Sequence, residues 1–199
     1  ADLALSIAHQ SSAVPVRMDL ETDLVGVAVA LPDPLGKPAE VSRRLDLGVD
    51  FRSDRSTELR VRYGQDTNAL WRFYANHEKP WVAAIGFSRE PLSLDGFEGF
   101  HLSGAVARLD ADEWIAWVNR QSNRSGQSLP RIAMDLRVDQ LVALGSVCPN
   151  ARFTYNNYAD GYRVNLTSDT VQGSMISPKD RSSGGSTISS STCRSSRAP

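Results

Sequence analysis

The chain has 199 residues, and its 22 Lys and Arg side chains nearly balance 23 Asp and Glu, for a formal net charge of −1. This balance argues against a nucleic-acid-binding module, which normally carries a basic excess. The longest uncharged apolar run, Leu24–Leu31, is far shorter than the roughly 20 residues of a membrane-spanning helix. Two cysteines, neither in a CxxC pair, exclude a disulfide-dense scaffold and a cysteine zinc site.

Apolar and polar residues alternate along five segments of the chain, 16–23, 44–51, 58–63, 132–139 and 162–167. Successive side chains of a strand point to opposite faces, so each segment predicts a strand with one apolar and one solvated face. Turn signals such as Gly64-Gln65-Asp66 separate these segments at short spacing. The pattern predicts a mostly β protein built as an antiparallel meander, without βαβ units.

The segment Pro32–Pro38 contains three prolines within seven residues. Proline has no backbone N–H to donate to a sheet and restricts its own φ angle. We expect a rigid, exposed corner that ends one strand and redirects the chain.

One short helix is predicted near residues 110–120. Asp110 is suited to the N-cap, and Glu113 follows three residues later, as in a capping box. Trp114, Trp117 and Val118 have the spacing of one helical face, which predicts that they pack together.

The last part of the chain has a different composition. Residues 179–199 contain eight serines and one aliphatic side chain larger than alanine, Ile188. Such a segment buries too little apolar area to offset the entropy of ordering it. The sequence predicts a folded segment over residues 1–178 and a Ser-rich disordered tail over 179–199.

Sequence signatures of catalysis and of cofactor binding are absent: there is no GxSxG, HExxH, GxGxxG or GxxxxGK[ST]. The three histidines, His9, His77 and His101, do not have the spacing of metal ligands. We therefore expect no catalytic residues, no metal site, no cofactor and no enzymatic activity.

Several stretches resemble the YhdP family of large AsmA-like proteins of the Gram-negative envelope. Residues 20–37, LETDLVGVAVALPDPLGK, are similar to the family stretch SDLxGLxLxLPxPLGK, whose PxPLGK part is the most specific. Residues 59–64, 102–114, 134–141 and 173–178 resemble later parts of the pattern in the same order. The resemblance covers about residues 1–178.

Two places depart from the family pattern. The Ser-rich tail stands where another alternating strand would be expected, which suggests a truncated or frame-shifted end. Val147-Cys148-Pro149 interrupts a segment that the pattern would carry as an unbroken strand, so we expect weakened pairing there.

The resemblance implies an extended, curved antiparallel sheet that forms an apolar groove. It further implies a segment of a periplasmic protein anchored in the inner membrane by a part outside this chain, conducting phospholipid acyl chains between the inner and outer membranes. The implied partners are phospholipid, the rest of a longer parent chain and other envelope proteins, without nucleic acid. The alternation by itself equally suits a closed sandwich.

The candidate groove-lining residues are the apolar members of the alternating segments, which we expect to share one continuous face. They are Val16, Met18, Leu20, Leu45, Leu47, Val49, Phe51, Leu59, Val61, Ile132, Met134, Leu136 and Val138.

Two other functions compete with lipid conduction. One is a structural β-domain that binds protein partners without lipid; the other is a β-sandwich hydrolase with an Asp/Glu pair, disfavoured because its carboxylates fall on solvated faces.

Overall fold

The computed structural model describes residues 1–7, 13–75, 81–122, 131–158, 161–178 and 187–191. Within them lie twelve strands and one helix. The strands are β1 (Asp2–Ile7), β2 (Val16–Thr22), β3 (Leu45–Phe51), β4 (Thr57–Tyr63), β5 (Thr67–Phe73), β6 (Trp81–Phe87), β7 (Gly99–Asp110), β8 (Ile132–Ala143), β9 (Ser146–Tyr158), β10 (Gly161–Thr167), β11 (Gln172–Pro178) and β12 (Thr187–Ser191), and the helix is α1 (Ala111–Ser122). The mostly β class and the short helix are confirmed.

The chain divides into two compact units. Unit 1 comprises residues 1–30 and 37–103, and unit 2 comprises residues 31–36 and 104–199. In unit 1, strands β1 to β6 pair with their sequence neighbours, all antiparallel. In unit 2, β8 to β12 do the same. Both units are therefore meanders of consecutive antiparallel strands, as the short turns between alternating segments predicted.

The apolar core of unit 1 lies against β5 and β6. Leu70, Val82 and Ala84 are buried there with Leu94, and Leu92 packs against them. Gly86 provides the room, because a Cβ on this residue would lie 2.8 Å from Leu92 Cδ2. The segment after β6 thus covers one face of these two strands.

Helix α1 begins as predicted. The Glu113 backbone N–H donates to Asp110 Oδ1 at 3.0 Å, so Asp110 is the N-cap. The Trp114 and Trp117 rings meet edge to face, with centroids 5.8 Å apart. Trp114 Nε1 also donates to the Asp33 carbonyl at 2.8 Å, so the helix holds this part of the chain within unit 2.

The expectation that residues 32–38 form an exposed corner is wrong at Lys37. This side chain is 4% exposed. Its ammonium donates to the carbonyls of Val27 and Pro38, while its backbone bridges Val29. Lys37 is buried because backbone oxygens replace the water that its charge would otherwise require.

Strand pairing continues through Val147–Pro149, where weakened pairing was expected: Leu141 pairs with Cys148 and Gln140 with Pro149. The pairing is interrupted one residue later, because Asp139 and Asn150 are not paired and Asn150 has a φ of 50°. The Pro149 carbonyl accepts a hydrogen bond from the Asp169 N–H at 3.3 Å, so Pro149 has a partner outside the β8–β9 pairing.

In the C-terminal region, Thr187–Ser191 forms β12 and pairs with β11. The other residues of the predicted tail, 179–186 and 192–199, lie outside the described residues. The strand over Thr187–Ser191 departs from the disorder expected for the whole tail, and disorder of its other residues remains a prediction.

Replacing Leu144 by asparagine is expected to stabilise unit 2 by about 1 kcal/mol. Leu144 and Gly145 connect β8 and β9 with φ of 52° and 70°, and Leu144 is 94% exposed. Two positive φ angles are typical of a type I′ turn, which favours Asn-Gly and disfavours a leucine. The thermal midpoint should rise, whereas Leu144→Val should lower it because branching at Cβ worsens the strain. A midpoint for Leu144→Asn below that of the wild type would contradict this explanation.

Candidate functional site

One face of the unit 1 sheet is apolar across all six strands, β1 to β6. Directly paired residues of adjacent antiparallel strands lie on the same face, so the register assigns each side chain. Four rows of residues cross the strands on this face, which we call the apolar face. Row 1 is Ile7, Val16, Phe51, Thr57, Phe73 and Trp81; row 2 is Leu5, Met18, Val49, Leu59, Trp71 and Ala83; row 3 is Leu3, Leu20, Leu47, Val61, Ala69 and Ile85; row 4 is Thr22, Leu45, Tyr63, Thr67 and Phe87.

The candidate lining residues of β2, β3 and β4 all lie on the apolar face. Those of β8 share a face within unit 2, where Met134 pairs with Tyr155 and Leu136 with Phe153. Their exposure differs, however. Leu136 and Val138 are 3% and 1% exposed, so these two side chains belong to the core of unit 2 and do not present a surface to a ligand.

The opposite side of the unit 1 sheet, which we call the charged face, holds the charged residues of β1 to β6. They are Asp2, Arg17, Asp19, Glu21, Asp46, Asp50, Glu58, Arg60, Arg62 and Arg72. Ion pairs cross the strands: Asp50 accepts from Arg17 Nε at 2.7 Å and from Arg60 Nη2 at 3.1 Å, and Glu58 accepts from Arg72 at 2.6 Å. Charges on this face are therefore largely neutralised by their neighbours.

The carboxylate of Asp50 is the most enclosed charge of this network. Asp50 is 3% exposed, and Glu58 is 8% exposed. Burial by itself raises the pKa of Asp50, but the hydrogen bond from Arg17 and the charges of Arg60 and Arg17 outweigh it and hold that pKa below its ordinary value. The expectation that the polar face is simply solvated is wrong here, because arginine side chains cover the carboxylates.

Solvent exposure of the apolar face differs from that of an ordinary core. From β1 to β5, every side chain of the apolar face is half-buried or exposed. Leu3, Leu5 and Ile7 are 71%, 62% and 77% exposed, and Phe51 and Phe73 are exposed at 41% and 45%. Monomeric soluble proteins rarely expose contiguous apolar patches of this extent, and such patches mark binding surfaces.

The size of the apolar face suits a long hydrocarbon. A row of six strands spaced about 4.8 Å apart is about 24 Å long, and adjacent rows are about 6.7 Å apart. The hydrocarbon core of a bilayer is about 30 Å thick, so one layer of acyl chains extends about 15 Å. One acyl chain fits along a row, and two fit side by side.

The candidate lining residues predicted from the sequence did not include every residue of the apolar face. Leu3, Leu5 and Ile7 alternate with Asp2, Ala4 and Ser6, so the signal was present but short. Strand β6, WVAAIGF, is apolar at every position. One side of this strand belongs to the apolar face, and Val82 and Ala84 on its other side lie in the core of unit 1. Alternation cannot assign its faces, and only the register places Trp81, Ala83 and Ile85 on the apolar face.

A concave depression of about 370 Å³ lies in unit 1 around charged residues of β1 to β4. Its lining includes Asp19, Glu21, Asp46 and Arg60, which are already engaged with one another or with neighbouring charges.

Within the described ranges, no group of three His, Cys, Asp or Glu residues is arranged to hold a metal ion. The same residues include no helix long and apolar enough to cross a membrane.

Comparison with known proteins gives one match. The family model described as YhdP protein matches residues 1–195, nearly the whole chain and beyond residue 178, where the resemblance was expected to end. Searches of curated proteins and of solved structures gave no match.

Proposed function

The chain belongs to the YhdP family, and from this premise we propose that the apolar face of unit 1 binds phospholipid acyl chains. In this proposal the chain is a non-enzymatic segment of a periplasmic envelope protein, anchored in the inner membrane by another part of the parent chain. The parent protein conducts lipid between the inner and outer membranes. Its partners are phospholipid, the remaining parent chain and other envelope proteins.

The exposure of the apolar face carries this proposal. A sheet that encloses Asp50 and Glu58 among arginines and leaves leucine and phenylalanine accessible is suited to bind an apolar partner on the accessible side. Each CH₂ group of an acyl chain removed from water contributes about 0.8 kcal/mol. A chain of more than ten carbons along one row would therefore bind strongly, without requiring a hydrogen bond from the apolar face.

The competing function is a structural β-domain that binds protein partners and no lipid. The accessible side chains of Phe51 and Phe73 also suit this function, because exposed apolar patches mark protein–protein interaction sites as well. Lipid extraction from the purified chain, followed by mass spectrometry, separates the two functions. We expect co-purified phospholipid; a chain that comes out free of lipid and takes up none from vesicles would overturn the proposal.

Replacing Leu47 by aspartate is expected to abolish lipid binding while the chain stays folded. Leu47 lies at the centre of row 3 and is half-buried, so a carboxylate there reaches water but repels alkyl chains from the path. The measurement is photocrosslinking to lipid from a probe at Val49 in row 2, together with the thermal midpoint.

The control for Leu47→Asp is Ser6→Asp, which adds the same charge to the charged face opposite Arg17. Lipid crosslinking should remain at the wild-type level in this variant. Equal crosslinking in Leu47→Asp and Ser6→Asp would show that the apolar face does not bind the acyl chains.

A further inference from the structure

A row of half-buried side chains crosses the unit 2 sheet beside its core. Met134 pairs with Tyr155, Tyr155 with Val164, and Val164 with Met175, so these four residues lie side by side on one face of β8 to β11. All four are half-buried, whereas Leu136 in the adjacent row is 3% exposed. Four strands about 4.8 Å apart make this row, which we call the outer row, about 14 Å long, close to the roughly 15 Å of one acyl layer.

The next row along the strands carries hydrogen-bonding groups without charge. Asn157 pairs with Tyr162, and Tyr162 with Ser177, on the same face as the outer row. All three side chains are half-buried. The side-chain oxygen of Asn157 accepts the Ile132 N–H at 2.5 Å. An uncharged polar border, formed by these three side chains, therefore lies directly beside the outer row.

Two tyrosines connect the outer row with the polar border. The rings of Tyr155 and Tyr162 stack with centroids 6.0 Å apart and an angle of 26° between their planes. Burial raises the pKa of the Tyr155 hydroxyl, and the neighbouring Tyr162 adds to this effect. Among the residues that the structure describes, neither hydroxyl has a hydrogen-bond partner. The pair therefore presents two phenol donors beside a half-buried apolar row.

The charges of these strands lie on the other side of the sheet. The register places Asp135, Arg137, Arg152 and Arg163 there, and Arg152 donates to Asp135 at 2.7 Å. The outer row and the polar border consequently offer a ligand apolar contact and hydrogen-bond donors, but no charge. A group that accepts hydrogen bonds, carries no charge and adjoins a long hydrocarbon is complementary to them. The ester carbonyls of a phospholipid have these properties.

We propose that the hydroxyls of Tyr155 and Tyr162 donate hydrogen bonds to the ester carbonyl oxygens of a phospholipid whose acyl chains lie on the outer row. This inference rests on the proposed function, and it adds recognition of the acyl linkage by unit 2. A tyrosine at such a border contributes an apolar ring to the hydrocarbon and a polar tip to the acceptor. The site distinguishes an ester-linked lipid from its ether-linked analogue, because the ether has no carbonyl oxygen.

The test compares diacyl phosphatidylglycerol with the diether analogue of the same chain length, each competing for lipid crosslinking to a probe at Met134 of the 199-residue chain. For the wild type we expect the diester to compete at least about fivefold better, the ratio that one neutral hydrogen bond supports. The double variant Tyr155→Phe, Tyr162→Phe should bind both lipids equally. Its affinity for the diether should equal that of the wild type, because phenylalanine keeps the rings and removes only the hydroxyls.

Tyr158→Phe is the matched control, since it removes the hydroxyl of a β9 tyrosine that is 48% exposed and belongs to neither row. The preference for the diester should stay at the wild-type level in this variant. Thermal midpoints of all variants should lie within a few degrees of the wild type. A full preference in the double variant, or an equal loss in Tyr158→Phe, would overturn the inference.

A second probe at Val49 of unit 1 separates this inference from the proposed function. Lipid crosslinking at Val49 without any at Met134 would overturn the inference and leave the proposed function standing. Absence of crosslinking at both probes would overturn both. Equal competition by diester and diether in the wild type would overturn the assignment of the tyrosines to the ester carbonyls while leaving acyl-chain binding intact.

Discussion

Leu136→Asp is expected to unfold unit 2. Leu136 is 3% exposed and pairs with Phe153, next to Val138, which is 1% exposed. A carboxylate at this position would be buried without a partner, at a cost of several kcal/mol. Because the total stability of a domain is about 5–15 kcal/mol, this loss is large enough to abolish the folded state of the unit. Far-UV circular dichroism during heating measures this loss of folded structure.

Leu47→Asp provides the comparison for Leu136→Asp. Both substitutions exchange a strand leucine for the same charge, but Leu47 is half-buried on the apolar face of unit 1. We expect the Leu47 variant to keep a cooperative transition and the Leu136 variant to lose that of unit 2. Similar thermal midpoints for the two variants would contradict the distinction between an accessible face and a core.

Asp50→Asn is expected to lower the free energy of unfolding of unit 1 by about 3 kcal/mol, at the low end for breaking a buried ion pair. The Asp50 carboxylate accepts from Arg17 and from Arg60, and the substitution leaves both guanidinium groups without its charge. The two arginines are partly exposed, at 42% and 38% of their side chains, so water compensates some of the loss. Urea denaturation of the wild type and of Asp50→Asn measures the difference in free energy of unfolding.

The control for Asp50→Asn is Asp66→Asn. Asp66 pairs with Arg89 at 2.9 Å, but both side chains are well exposed. Exposed pairs contribute about 0–1 kcal/mol, so this variant should unfold close to the wild type. If Asp50→Asn and Asp66→Asn lowered the free energy of unfolding equally, burial of the Asp50 carboxylate would not explain its contribution to stability.

The low pKa of Asp50 also predicts the direction of a pH effect. Because the folded-state pKa lies below the unfolded value, the unfolded chain binds more protons in acid. The stabilisation by this carboxylate is complete above the unfolded pKa of about 4 and is lost as the pH falls through the folded pKa. Asp50→Asn should reduce the slope of stability against pH below about pH 4, as acid titration of the thermal midpoint would measure.

The candidate site was only partly predictable from the sequence. Alternation correctly grouped Leu47 with Val49 and Phe51, because the period of two is a property of any strand. It also grouped Leu136 with them, although that residue is buried. Alternation says which side chains share a face of a strand, but what covers the face depends on residues distant in the chain.

The sequence by itself determined the mostly β class, the antiparallel order of consecutive strands and the start of helix α1 at the Asp110 cap. These features depend on local preferences: two-residue periodicity, short turns and a side chain that bonds its own backbone three residues away. The tertiary structure alone decided that the carboxylates of Asp50 and Glu58 are enclosed while Leu3 and Leu5 remain accessible. Burial is set by contacts between strands whose residues lie far apart in the chain, so a periodic pattern fixes two faces but not which face meets water.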